Sequence, residues 1–326
     1  MANIILTSYC NLHCPYCFAS KMIKTEDIKN IPLEQFKKTL NWIGEDDDEI
    51  GLIGGEPTLH PQFKEILNII EEYSQRRKTP HGFTLFTNGI YLDKYIYDLP
   101  QNMGILINVN QPEAMTTEQY SKMIKNISTL SRMGWTVNNP PYQKRVTIGC
   151  NICQEITDYN FLWNIVKTFN IKEIRVSVVA PTKKEQLADK EGYYNLMKPI
   201  FLDFVKKAIE NGVILHPDCN QIPGCYFTKE EIDMINKVYP PDEREHYRCC
   251  RPVIDISIDF SATSCFGCYE RINCKNFKNL NELYRYIVYK VMAVRIACNG
   301  TGKCATCEKF NFLQCQGGCL AFGKKR

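Results

Sequence analysis

The sequence predicts an α/β fold on a parallel sheet for its first two-thirds, followed by a small cysteine-rich domain. Three observations carry this. Short apolar runs alternate six times with longer amphipathic ones. Helix start and stop signals bracket the amphipathic runs. From about Ile214 the alternation gives way to closely spaced cysteines. Six strand-then-helix units call for a parallel sheet covered by helices.

Strands are expected at 3–7, 49–53, 83–87, 105–110, 146–149 and 174–180. The first, Ile4-Ile5-Leu6-Thr7, reads as a buried strand. Helices are expected at 32–44, 61–76, 92–98, 117–134, 159–170 and 192–211. Pro32 and Pro61 suit helix starts, because the missing N–H is one that a helix start leaves unpaired. Thr116 followed by Gln119 reads as a capping box. Gly134 and Gly212 fall where helices end in a left-handed residue. The second part is poorer in regular structure, with a hairpin at 253–261 and a helix at 280–297. The expected division is a core domain at 1–213 and a cysteine-rich domain at 214–326.

Composition narrows the class. A chain of 326 residues can bury about 75% of its unfolded surface. The net charge of +4 is small for this length and gives no case for a nucleic-acid partner, for which basic clusters would be expected. The Lys324-Lys325-Arg326 end reads as a solvated tail. No run approaches the roughly 20 apolar residues of a membrane helix, and no export signal is visible. Seventeen cysteines without such a signal, twelve of them between Cys219 and Cys319, point to metal ligands in a reducing cytoplasm rather than disulfides.

The sharpest motif follows the first strand. Cys10, Cys14 and Cys17 share one loop, at a spacing suited to three irons of a cubane cluster whose fourth iron stays open. Zinc, with His13 as a further ligand, is the alternative. After the second strand comes Gly54-Gly55-Glu56-Pro57, where glycines allow close backbone approach and the carboxylate can pair with an ammonium group. A tight turn is the plainer reading. Asn88 ends the third strand, while Asn108 and Asn110 share a face of the fourth. Arg145 is a candidate carboxylate partner.

The C-x3-C-x2-C loop followed by GGEP resembles the radical S-adenosylmethionine (radical SAM) enzymes. The resemblance implies a partial (β/α)6 barrel. It also implies a [4Fe–4S] cluster on Cys10, Cys14 and Cys17 whose open iron takes the amino and carboxylate groups of SAM. Gly54, Gly55, Glu56 and Pro57 would position SAM, with Asn88, Asn108, Asn110 and Arg145 as further contacts; the Asn108 position often carries a SAM-binding Ser. Reductive cleavage of SAM then yields a 5′-deoxyadenosyl radical that abstracts a hydrogen atom. Reduced flavodoxin or ferredoxin is the implied electron donor.

The later cysteines, Cys304-x2-Cys307-x7-Cys315-x3-Cys319 with Cys250 and Cys265 upstream, resemble the SPASM and twitch extensions that hold one or two auxiliary [4Fe–4S] clusters. By that resemblance Cys250, Cys265 and Cys319 serve an inner cluster, with Cys249 or Cys225 as fourth ligand. Cys304, Cys307 and Cys315 serve an outer one, completed by Cys268, Cys274 or Cys298. A zinc ribbon is the alternative. The pattern departs from the group in three ways: the hairpin glycine is replaced near Phe260, the Cys307–Cys315 gap is longer, and a last downstream cysteine is missing.

Sulfatase maturases of this group carry a base Asp where this chain has Phe266. Asp255 and Asp259 are other candidate bases. Cys150, Cys153, Cys219, Cys225 and Cys298 are candidate hydrogen-atom donors, by analogy with peptide epimerases, with small-residue packing as the plainer role. The implied substrate is a ribosomally made peptide that is cross-linked, epimerised or oxidised. The first strand starts at Asn3, so no leader-binding domain is expected before the barrel. Two alternatives stay open: a sugar or aminocyclitol dehydrogenase, and a non-enzymatic zinc-binding protein.

Overall fold

The computed structural model describes residues 2–17, 19–20, 28–44, 49–76, 82–137, 145–244, 250, 252–265, 267 and 270–323. Phe266, Cys249, Cys268 and the 324–326 tail lie outside the described residues. The chain divides into two compact units that interleave in sequence. One comprises Met1–Thr147 with Pro252–Tyr286, the other Ile148–Arg251 with Ile287–Arg326.

The first unit opens with β1 (Ala2–Ile5), α1 (Leu33–Ile43), β2 (Glu49–Ile53), α2 (Phe63–Gln75), β3 (Gly82–Thr87), β4 (Met103–Asn108) and α3 (Thr117–Arg132). The second contains β5 (Val146–Ile152, which starts at the end of the first unit), α4 (Asn160–Thr168), β6 (Glu173–Val178), α5 (Lys184–Ala188), α6 (Lys190–Asn211), β7 (Ile214–Pro217) and α7 (Lys229–Asn236). The chain then returns to the first unit with β8 (Ile254–Ile256), β9 (Ser261–Thr263), β10 (Ile272–Asn273) and α8 (Leu280–Tyr286). It ends in the second unit with a π-helical turn (Ile287–Met292), α9 (Ala293–Asn299) and α10 (Glu308–Asn311).

In the first unit the strand order is β10-β9-β8-β1-β2-β3-β4. Strands β1 to β4 are parallel, with Ala2 opposite Ile50, Ile50 opposite Phe83 and Phe83 opposite Met103. The hairpin does more than the sequence suggested. Its first strand, β8, joins β1 in parallel through Ala2–Ile254 and Ile4–Ile256, so it extends the sheet. Period-two alternation sends Ala2, Ile4, Ile50, Leu52, Phe83, Leu85, Ile105 and Ile107 into the core on one face. Asn3, Gly51, Thr84 and Asn108 alternate with them on the other face.

The helices bury matching stripes. Helix α1 buries Phe36, Leu40 and Ile43, α2 buries Phe63, Ile66, Leu67 and Ile70, and α3 buries Met123, Ile127 and Leu130. Each such side chain contributes about 1.5–3 kcal/mol on leaving water. Buried Asn126 on α3 is satisfied by donating to the carbonyls of Gly89 and Ile90 at 2.8 and 3.2 Å. The Thr116–Gln119 capping box forms, and Gly134 and Gly212 have φ of 74° and 61°.

The second unit has β5, β6 and β7 side by side and parallel. Its core is aromatic: Phe204 on α6 packs at 4.8 Å from Trp163 and 5.2 Å from Tyr159. Tyr194, fully buried, meets Tyr226 at 5.0 Å and Phe322 at 5.5 Å.

Two expected elements differ, and one strand was not expected. The 92–98 helix is a single tight turn, Leu92–Lys94, because only Leu92 and Ile96 in it reach the core and Pro100 follows. The 280–297 helix is α8, a π turn and α9. Strand β7 was not expected, since its four residues end in a proline.

Candidate active site

The loops that follow β1 to β4 meet at the C-terminal edge of the parallel strands, the edge where such sheets place their ligand sites. Cys10, Cys14 and Cys17 occupy the loop after β1, with Cys10 exposed and the other two half-buried. The Cys17 amide donates to the Cys14 carbonyl at 3.1 Å, and the Leu12 amide to Cys10 Sγ at 3.5 Å. Burial pushes the Cys14 thiol up to about 12, and the neighbouring Cys17 and Cys10 thiols push the same way. Burial likewise raises Cys10. Two thiols that resist ionisation, with the Cys17 thiol beside them, need a cationic partner to become thiolates together, which an iron cluster supplies.

Gly54 and Gly55 bring β2's exit against this loop. The Gly55 amide donates to Thr7 O at 2.8 Å and the Glu56 amide to Tyr9 O at 2.7 Å. A Cβ on Gly54 would collide with the Thr7 carbonyl, and one on Gly55 with that of Tyr9. In this structure, then, the glycines admit the cysteine loop.

Glu56 is fully buried and heavily bonded. Its Oε1 accepts from Thr58 N (3.2 Å), Thr58 Oγ1 (2.6 Å) and Thr87 Oγ1 (2.7 Å), and its Oε2 from Asn88 N (2.8 Å). Burial raises its pKa while these bonds act to lower it, that of Asn88 foremost. Pro57 opens the short turn Pro57–Leu59 that carries Thr58.

Asn88 extends the network. Its Nδ2 donates to Asn11 Oδ1 at 2.8 Å, and its Oδ1 accepts from Ile90 N at 3.1 Å. Asn110 Oδ1 lies 3.5 Å from Cys14 Sγ, and Asn110 Nδ2 donates to Asn108 O at 3.4 Å. Asn11 Nδ2 is buried and finds no partner among the described residues. Such a donor costs stability unless a ligand takes it up. Asn11, Thr58 and Thr87 were not singled out from the sequence.

Arg145 is a correction. It precedes β5 at the opposite, N-terminal edge, where its guanidinium donates to Pro100 O and Met103 O at 2.5 and 3.1 Å and stacks on Trp135 at 4.1 Å. It has no reach to this site. Asp255 pairs with Asn3 Nδ2 at 2.7 Å inside the sheet. Asp259 accepts from Ser261 and pairs with Arg271 at 3.2 Å, a turn role. Cys265 and Cys274 also belong to the first unit, and Cys274 is fully buried.

The other cysteines stand in the second unit. Cys150 and Cys153 are core residues; burial pushes the Cys153 thiol up to about 11 and that of Cys150 further. Cys150 alternates with Asn151, whose side chain accepts from Ser177 at 2.8 Å, so the two occupy opposite faces of β5. Cys219 reaches the surface, yet its thiol is pushed well up, by protein crowding first, with Asp218, Cys319 and Cys250 adding to it. Cys250 N donates to Gln316 Oε1 at 2.8 Å, and Cys319 N to Tyr194 Oη at 2.7 Å. Cys225, Cys304, Cys307 and Cys315 line one cavity, while Cys298 is not among its lining residues.

Among the described residues no three His, Cys, Asp or Glu side chains form a group able to hold a metal ion. A single zinc needs every thiolate within about 2.3 Å of one point. A cubane spreads its irons over a larger body, so more widely set thiols suit it better. The three-thiol loop, the glycine cradle and the unpaired Asn11 amide together fit a cluster with a polar ligand beside it.

Residues 4–149 match the family model of the Radical SAM superfamily, and this stretch is a radical SAM domain. GTP 3′,8-cyclase of Synechocystis sp. (strain ATCC 27184 / PCC 6803 / Kazusa) is 26% identical over 145 residues, 41% of this chain and 42% of the relative. An S-adenosylmethionine-dependent nucleotide dehydratase of Selenomonas ruminantium is 26% identical over 167 residues, 50% of this chain and 48% of the relative. The chain thus matches less than half the length of either curated relative. Streptococcus suis SuiB bound to S-adenosylmethionine superposes with a TM-score of 0.64 at 16% identity, over 98% of this chain and 72% of that one. The same protein bound to precursor peptide SuiA gives 0.64 at 16% identity over 98% and 71%. Native anSMEcpe with bound AdoMet gives 0.61 at 16% identity over 98% and 88%. At such identities the likeness shows a shared fold. Among the described residues no helix is long and apolar enough to cross a membrane.

Proposed function

We propose that this radical SAM enzyme modifies a ribosomally made peptide by cross-linking, epimerisation or oxidation. A core at 1–213 would do the radical chemistry and 214–326 would hold one or two auxiliary [4Fe–4S] clusters. The observation that supports the substrate class is the superposition on peptide-bound SuiB, which extends over 98% of the chain with a TM-score of 0.64.

Cys10, Cys14 and Cys17 would hold the catalytic cluster, and when bound the cluster with SAM supplies a 5′-deoxyadenosyl radical. The protein's own work is placement. Glu56 presents a carboxylate fixed by four donors toward the SAM ammonium group. Asn11 offers its unpaired amide N–H, and Asn88 and Asn110 fix the cysteine loop around them. Reduced flavodoxin or ferredoxin would deliver the electron in a cytoplasmic setting.

The test uses deuterium. The anaerobically reconstituted enzyme is given SAM, dithionite and one of three fully deuterated mixtures: peptides, sugars with aminocyclitols, or nucleotides. Deuterium in 5′-deoxyadenosine only from the peptide mixture supports the proposal. Deuterium only from a small-molecule mixture sinks it in favour of the dehydrogenase or nucleotide reading.

A further inference from the structure

We propose that Cys225 supplies the fourth thiolate of a [4Fe–4S] site whose other ligands are Cys304, Cys307 and Cys315. The inference rests on the auxiliary-cluster reading above and sharpens it: Cys225 moves from the inner cluster to the outer one.

The geometry is that of one lined cavity. The four cysteines share its wall with Pro223, Tyr226, Lys309, Phe310 and Gly317, around about 340 Å³ that no protein atom fills, open solvent included. Three thiols come from one stretch. Cys304 closes a short turn at Gly302–Cys304, and the Cys307 amide returns to Cys304 O at 3.2 Å. Cys315 is followed by Gly317, whose amide donates to Cys315 Sγ at 3.3 Å. The fourth thiol arrives from far upstream, on the tight turn Gly224–Tyr226. Four cysteine thiolates are the usual complement of a [4Fe–4S] cluster.

The surroundings suit the charge such a site carries. Lys190 Nζ lies 3.5 Å from Cys304 Sγ and is held there by donating to Asn299 O at 2.8 Å. Lys303 sits over the Tyr226 ring at 3.3 Å, beside Cys225 in sequence. Donors aimed at ligating sulfur and nearby cations are what orient and tune such ligands. Of the cysteines expected from sequence to complete this set, Cys298 is half-buried and not among the lining residues, Cys274 is a core residue of the first unit, and Cys268 lies outside the described residues.

The experiment counts iron and sulfide after anaerobic reconstitution. The parent is the full chain carrying Cys10→Ala, Cys14→Ala and Cys17→Ala, so only auxiliary iron remains. Cys225→Ala is expected to lose about 4 irons, or to convert one cluster to a three-iron form with its own electron paramagnetic resonance signal, while Cys298→Ala keeps the parent's iron. Circular dichroism and melting of the metal-free proteins should be alike, because Cys225 is exposed. Full iron in Cys225→Ala without a three-iron signal overturns the assignment, as does zinc in place of iron. If Cys304→Ala/Cys307→Ala/Cys315→Ala also loses no iron, the outer-cluster part of the reading above falls.

Discussion

Asn88 fastens the cysteine loop to the sheet through Asn11. Its Nδ2 donates to Asn11 Oδ1 at 2.8 Å, while its own amide donates to Glu56 Oε2 at the same distance. One residue at the end of β3 thus orients both the loop between Cys10 and Cys14 and the carboxylate after β2. Asn88→Ala removes the side-chain bonds to Asn11 and Ile90 and leaves the amide bond to Glu56 intact. Each lost bond is worth about 0.5–1.5 kcal/mol, so SAM affinity should fall roughly tenfold with the iron content unchanged. Equilibrium binding of SAM beside iron analysis checks this; unchanged affinity would remove Asn88 from the site.

Gly55 tests the cradle. A methyl group there collides with the Tyr9 backbone, which cannot swing away as a side-chain tip would. Gly55→Ala should therefore displace the cysteine loop and lower catalytic-cluster iron by about 4 per chain, leaving any auxiliary iron in place. A fully loaded Gly55→Ala protein would show that the loop tolerates more movement than its two backbone bonds indicate.

Asp255 gives stability a pH dependence. Burial raises its carboxyl from 3.8 to about 7, against the lowering effect of the Asn3 bond. Between those values the folded state holds a proton that the unfolded chain releases. Stability contributed by the neutral form is thus full below about pH 4, falls as pH rises, and is gone above about 7. The total is on the order of 4 kcal/mol at about 1.4 kcal/mol per unit. Asp255→Asn should abolish that slope and melt higher than wild type at pH 8, since its amide can also donate to Asn3 Oδ1, which has no partner among the described residues. Parallel melting curves of the two proteins from pH 5 to 8 would contradict it.

Phe260 occupies a backbone conformation that favours glycine, with φ of 62°, and its ring packs edge-on against Trp42 at 5.4 Å. The left-handed backbone costs about 1–2 kcal/mol. The aromatic pair returns about 0.5–1.5 kcal/mol beyond its burial. Phe260→Ala loses the ring and keeps the strain, whereas Phe260→Gly loses the ring and relieves it. Glycine should therefore be the milder substitution by about 1 kcal/mol in denaturant midpoint. The reverse order would mean that the turn is unstrained.

Local chemistry determined a good deal of this protein. The alternation of apolar residues was enough for β1 to β4 and helices α1 to α3, because side-chain period follows directly from backbone geometry. Cys10, Cys14, Cys17 and Gly54 to Pro57 stood out because their spacing is itself the signal. Packing between distant segments decided the rest. The opposite edge claimed Arg145 for backbone carbonyls, the sheet took β8 beside β1, and Asn11 acquired its place only through Asn88. Cys225 resembles any other cysteine along the chain, and only folding sets it beside Cys304, Cys307 and Cys315. Spacing encodes which residues can share a loop, whereas a site drawn from several loops exists only once burial and hydrogen bonding have brought those loops together.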